Sequence, residues 1–307
     1  MLNKVIEIIK KMVPDYIITI IRAILTPSKL LFLKPTFYFD GLATNHVVDF
    51  MNSDRFLFAL NLGKKYEENR DDYYRLYIGC ALADHAAKLN GDFVECGVFL
   101  GTMSKTIISY ISFNSLPKTF YLIDTFSGIP AANILESDGR ESMFYRVNRK
   151  AASAISSDFP NYRVPETGFI TKKNGEQYFL AEGEKKDTKH GRGNKFASEI
   201  PPIIDLVKKK FEKDNVKIVQ GLVPGILETI SFSEVAFLHI DMNNAYPEVE
   251  CIRYYWNKIV TGGIVLLDDY AYSIHYQDSK NSIDELGKDL NFSVITLPTG
   301  QGLIIKY

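Results

Sequence analysis

The stretch Gly91-Asp92-Phe93-Val94-Glu95-Cys96-Gly97-Val98-Phe99-Leu100-Gly101 decides the fold. An apolar run, 93–96, ends in an acid and a glycine, and a second glycine follows before Thr102 and Ser104 open a helical pattern. That is a strand feeding a tight turn into a helix, with glycines where the chain turns sharply or a ligand approaches the backbone. The free N–H groups at such a helix start, with the Thr102 and Ser104 hydroxyls, suit a carboxylate ligand. Glu95 at the strand end is placed to face an ammonium group.

Working outward, further short apolar runs occur at 119–123, 216–219, 235–240, 263–267, 292–296 and 302–306, with helical stretches such as 103–112 and 248–259 between them. Strands alternating with helices predict a mostly parallel sheet covered on both faces. Only Leu297-Pro298-Thr299-Gly300-Gln301 separates the last two runs. That link is too short for a crossover helix, so the pair is expected to be antiparallel. The expected fold is therefore α/β and Rossmann-like: a seven-stranded, mostly parallel sheet with an antiparallel last strand.

Upstream, 54–89 reads as helical, stopped by Asn90-Gly91. Residues 1–45 form a separate helical extension, and 46–307 the main domain. Within 1–30, Val5, Ile8, Ile9 and Met12 recur at helical spacing, and a second apolar run follows Pro14. That run is shorter than the roughly 20 apolar residues a bilayer span needs. It fits either a helix docked on the domain or on a second subunit, or a helix lying on a membrane surface beside Lys4, Lys10, Lys11 and Arg22. Residues 151–200, rich in Lys, Gly, Ser and Asn, read as an inserted loop or lid.

Composition narrows the chemistry. The 307 residues carry a formal net charge of -1, which gives no field favouring nucleic acid. The three cysteines, Cys80, Cys96 and Cys251, have no CxxC spacing, which speaks against a disulfide scaffold or zinc and fits a reducing, cytoplasmic setting.

Two strand tips then carry the chemistry. The second strand ends in Asp124, followed by Thr125, where an acid grips a ribose diol of NAD or S-adenosylmethionine alike. The absence of GxGxxG and the antiparallel end of the sheet speak against NAD. Gln220-Gly221, after the third strand, is placed to flank an adenine. The fourth strand runs into Asp241-Met242-Asn243 and the fifth into Asp268-Asp269-Tyr270. Three neighbouring carboxylates repel one another, and a divalent cation with oxygen ligands relieves that penalty. Asp241, Asp268 and Asp269 are thus a candidate Mg²⁺ site, able to hold two neighbouring substrate hydroxyls. The alternative is that these acids cap helices or sit in solvent.

Together these motifs, with Leu122–Pro130 and Pro298–Gly302, resemble the macrocin O-methyltransferase (TylF-like) family, which methylates sugar hydroxyls with S-adenosylmethionine. The resemblance implies cofactor contacts at Glu95, Gly97, Gly101, Thr102, Ser104, Asp124, Thr125, Gln220 and Gly221. It implies Mg²⁺ on Asp241, Asp268 and Asp269, a sugar or glycan acceptor, and a homo-oligomer. Where some members carry a second Asp proposed as the general base, this chain has Asn243, which takes no proton at neutral pH. Asp241, His275 and His190 are the remaining candidates, while His239 is expected to pack in or near the sheet. A nicotinamide-dependent oxidoreductase and a non-catalytic scaffold are the competing readings.

Overall fold

The computed structural model describes residues 37–39, 42–44, 46–67, 72–127, 143–146, 154, 157–159, 168–171, 177–180, 201–231, 233–273 and 276–307. The chain divides into two compact units, Met1–Asn52 and Ser53–Tyr307. In the first, β1 (Phe37–Phe39) and β2 (Leu42–Thr44) form an antiparallel hairpin, followed by a 3₁₀ turn at Asp49–Asn52. The helices expected in residues 1–30 lie outside the described residues. Among the described residues, no helix is long and apolar enough to cross a membrane.

The second unit opens with α1 (Asp54–Gly63) and α2 (Tyr73–Ala86). The helical region expected over 54–89 holds these two helices among the described residues. Ser53 caps α1, its hydroxyl accepting from the Phe56 amide at 3.4 Å. After α2 a turn leads through Gly91, at φ 102°, into the sheet. There follow β3 (Asp92–Cys96), α3 (Thr102–Tyr110), β4 (Phe120–Asp124), β5 (Met143–Arg146), β6 (Gly168–Thr171), β7 (Gln177–Leu180), α4 (Ile203–Lys210) and β8 (Val216–Gln220). The chain ends with β9 (Val235–Ile240), α5 (Ala245–Tyr255), β10 (Ile259–Leu267), α6 (Gln277–Leu290), β11 (Ile295–Thr296) and β12 (Gly302–Ile305).

Seven strands make the main sheet in the order β11-β12-β10-β9-β3-β4-β8. β10, β9, β3, β4 and β8 run parallel, and β12 runs antiparallel between β10 and β11. The five-residue link forces this: Gly300 takes φ 82°, and Leu297 and Gln301 close the hairpin with a 2.8 Å bond. All six residues of β9 are buried, as befits a central strand covered on both faces. Phe93, Phe113, Phe120 and Phe237 pack with centroids 5.1–5.6 Å apart, all fully buried. Burying each such ring is worth roughly 1.5–3 kcal/mol, with about 0.5–1.5 more per ring pair. This cluster anchors the early part of β3, β4 and β9, and leaves their C-terminal ends to present polar groups. In the 131–200 region, β5, β6 and β7 form a separate antiparallel sheet. Residues 181–200 lie outside the described residues.

Candidate active site

The register brings the carboxyl ends of five strands level. Ile123 pairs with Cys96, Cys96 with Ile240, Ile240 with Leu267, and Asp124 with Gln220. A line of backbone bonds continues just past the strands: Gly221 N–H to Asp124 O (2.9 Å), Gly97 to Ile123 (2.9 Å), Asp241 to Cys96 (2.8 Å) and Asp268 to Ile240 (2.9 Å). Gly97, Asp124, Gln220, Gly221, Asp241 and Asp268 therefore stand in one row along one sheet edge, where ligands of open α/β sheets bind.

At one end of the row, Asp124 ties down the turn after β3. Its Oδ2 accepts from the amides of Val98 (2.6 Å) and Phe99 (2.9 Å), and its Oδ1 from Phe126 N–H (2.7 Å) and the Thr125 hydroxyl (3.3 Å). The Gln220 amide reaches Thr125 O at 3.0 Å, so Asp124, Thr125, Gln220 and Gly221 are gathered at one point. Gly97 sits at φ 89°, and a Cβ there would lie 1.8 Å from the Asp241 carbonyl oxygen. Its freedom is used first to let two strand ends meet. Gly101, at φ 67°, lies against the Phe211 ring, 2.5 Å from where its Cβ would be.

Thr102, Ser104 and Glu95 point into the protein, contrary to the sequence expectation that their side chains face a ligand. The Thr102 hydroxyl donates to Glu67 at 2.6 Å, and the Ser104 hydroxyl donates to Glu95. Both are buried, as is Glu95. The physical reason is that Glu95 and His239 are register partners on β3 and β9, so His239 Nδ1 lies 2.9 Å from Glu95 Oε1. What α3 offers a ligand is its first backbone N–H groups, which a helix leaves without internal partners.

At the other end of the row stand Asp241, Asp268 and Asp269, the last two joined by a residue the sequence reading missed. Arg75 of α2, which packs on β9 and β10, is buried, and its Nη2 touches three oxygens: Asp268 O (2.5 Å), Asp268 Oδ2 (2.6 Å) and Asp269 Oδ1 (2.9 Å). Tyr272 covers the guanidinium face at 4.4 Å. Asp268 Oδ1 accepts from Gln301 at 2.9 Å and lies 3.6 Å from His239 Nε2. Asn243 donates to Asp241 Oδ1 at 3.0 Å and accepts from the Tyr276 hydroxyl at 2.7 Å. Asn243 holds a left-handed φ of 55°, a conformation Asn tolerates better than most residues. His275 and His190 lie outside the described residues.

Electrostatics follow from this crowding. Burial works against a charged His239, but the Asp268 and Glu95 carboxylates on either side outweigh it and push its pKa up to about 10. Burial and the neighbouring Asp268 raise Asp269, with Arg75 pulling the other way. Burial lifts Glu248, bonded to Ser279 and within electrostatic reach of Asp269, to about 7. Among the described residues, Arg75 and a protonated His239 thus supply positive charge beside four carboxylates, Glu95, Asp241, Asp268 and Asp269. As arranged, these acids do not fit a divalent cation, because Arg75 holds Asp268 Oδ2 and Asp269 Oδ1. Among the described residues, no group of three or more His, Cys, Asp or Glu side chains is disposed to hold a metal.

No signal in the sequence marked Arg75 out from the other basic residues of 54–89. His239, expected to pack in the sheet, does so, and in addition bridges the two halves of the row.

No family model matches the chain, and no curated protein does. Among solved structures it is similar to the O-methyltransferase NovP, at 16% identity and TM-score 0.53, over 82% of this chain and 99% of that one. The calicheamicin methyltransferase CalS11 matches at 13% identity and TM-score 0.46, over 75% and 77% of the two chains. An S-adenosylhomocysteine-bound methyltransferase of Podospora anserina, PaMTH1, matches at 11% and 0.42, over 83% and 88%. At 16% identity the likeness to NovP is one of fold, the Rossmann-like α/β sheet with an antiparallel last strand expected from the strand pattern.

Proposed function

We propose that the chain is an O-methyltransferase that uses S-adenosylmethionine and acts on a hydroxyl of a sugar, in a glycan or a glycosylated natural product. The observation that carries the reading is the single row in which the Gly97 turn, Asp124 and Gln220-Gly221 stand beside Asp241, Asp268 and Asp269. A nucleoside-binding half and an acidic half adjoin along one sheet edge. The donor set suits the cofactor. The α3 amides take its carboxylate, the Asp124 region its ribose, and Leu222, 51% exposed beside Gly221, offers an apolar surface to adenine.

When bound, the cofactor supplies a methyl group on a sulfonium. The chain's residues do the rest. Asp241, Asp269, Asn243 and Tyr276 hold the acceptor hydroxyl by hydrogen bonds, and fixing it in line accounts for much of the rate. The proton leaving that oxygen passes to a carboxylate, Asp241 or Asp269; Asn243 cannot take it. The resemblance implies Mg²⁺, but the Arg75 contacts argue against it, and no step here needs a metal.

Calorimetric titration with S-adenosylhomocysteine and with NADH tests the first half. Binding of the former alone is expected, and binding of NADH alone overturns the reading. Methyl transfer to a panel of nucleotide-activated sugars, followed by mass spectrometry, tests the second half.

A further inference from the structure

We infer that Arg75 is the resident cation of the Asp241–Asp268–Asp269 cluster, and that this site operates without a divalent metal. One guanidinium nitrogen gathers three oxygens at 2.5, 2.6 and 2.9 Å, as a metal ion gathers its ligands. These are hydrogen-bond lengths. For Mg²⁺, which binds oxygen at about 2.0–2.1 Å, the two carboxylate oxygens would have to close in by roughly 0.5–0.9 Å, and the guanidinium would have to leave.

Leaving is opposed on every side. The Arg75, Asp268 and Asp269 side chains are only 7%, 5% and 10% exposed. The Tyr272 ring caps the guanidinium, and the second Asp268 oxygen is held by Gln301. A metal ion entering beside a retained arginine would meet a like charge. Among the described residues, Arg75 Nε is buried without a hydrogen-bond partner, so the group keeps one donor in reserve. A guanidinium cannot give up its proton in a protein, so it lends the carboxylates a positive charge that neither pH nor metal supply alters. The inference rests on the methyl-transfer reading only for what the cation serves.

The test uses the full chain and Mn²⁺ as the probe, followed by electron paramagnetic resonance, with S-adenosylhomocysteine binding measured in parallel. The wild type is expected to take up no stoichiometric Mn²⁺ at millimolar concentration and to melt at the same temperature with or without EDTA. Arg75→Met, which empties the oxygen cluster of its cation, is expected to gain one Mn²⁺ site that Asp268→Asn added to it abolishes. A stoichiometric Mn²⁺ site in the wild type, lost in Asp268→Asn or Asp269→Asn, overturns the inference. So does an Arg75→Met protein that still folds and binds S-adenosylhomocysteine but takes no Mn²⁺. Should Arg75→Met fail to fold, the wild-type arm decides by itself. Loss of S-adenosylhomocysteine binding by the wild type sinks the methyltransferase reading and leaves the cation result standing.

Discussion

Replacing Gly97 with alanine isolates the contact on which the whole row depends. The new Cβ would lie 1.8 Å from the Asp241 carbonyl oxygen, whereas real Cβ atoms essentially never come closer than 3.0 Å. The two strand ends must therefore part by 1.2 Å or more, the difference between those distances. The backbone at φ 89° adds a cost of its own, about 1–2 kcal/mol for a residue with a side chain. Overpacking a rigid interior adds about 1–3 kcal/mol. Stretching the 2.8 Å bond from Asp241 N–H to Cys96 O removes about 0.5–1.5 kcal/mol more. The sum, about 2.5–6.5 kcal/mol, is a large part of the 5–15 kcal/mol typical of a folded domain. Urea unfolding followed by circular dichroism measures it. Gly225→Ala is the control: nothing lies within 4 Å of its Cβ, and it should be neutral or slightly stabilising. A Gly97→Ala cost below about 1 kcal/mol would refute the argument, because that strand-end contact would then be able to give.

Four further outcomes follow from the site. Asp124→Asn turns an acceptor of backbone N–H groups into one half-donor; a loss of about 1–3 kcal/mol is expected, with weaker S-adenosylhomocysteine binding by calorimetry. His239 has its pKa raised from 6.5 to about 10, so its contribution is fully present below 6.5 and lost as pH rises through 10. Stability should fall between pH 7 and 10, and His239→Gln should flatten that slope in denaturation series. Arg75→Met leaves Asp268 and Asp269 buried without their cation; about 3–5 kcal/mol of stability should be lost, and Mn²⁺ should restore part of it in a melting assay. Tyr276→Phe removes the hydroxyl held by Asn243 Oδ1; kcat should drop about tenfold, a typical hydrogen-bond effect, while S-adenosylhomocysteine affinity is unchanged.

Short windows of sequence were enough for the sheet. Runs such as 93–96 and 235–240 are apolar because both faces are covered, and the five residues from Leu297 to Gln301 leave no room for a crossover, so the antiparallel end could be read off directly. The acids at the strand tips could be placed for the same reason: a residue just past a strand lies at the sheet edge whatever the rest of the chain does. Tertiary structure alone decided what those acids touch. Arg75 meets Asp268 across 193 positions, and His239 meets Glu95 across 144. Any of several basic residues in 54–89 could have supplied the charge as far as the sequence goes. Helix packing on β9 and β10 selected Arg75. Likewise Gly97 shows in the sequence as a turn glycine, but the reason it must lack a side chain is the carbonyl of Asp241, brought there only when β3 and β9 pair. Periodicity and chain connectivity act over a few residues and are written locally, whereas charge pairing in a buried cluster depends on which surfaces the folded chain presses together.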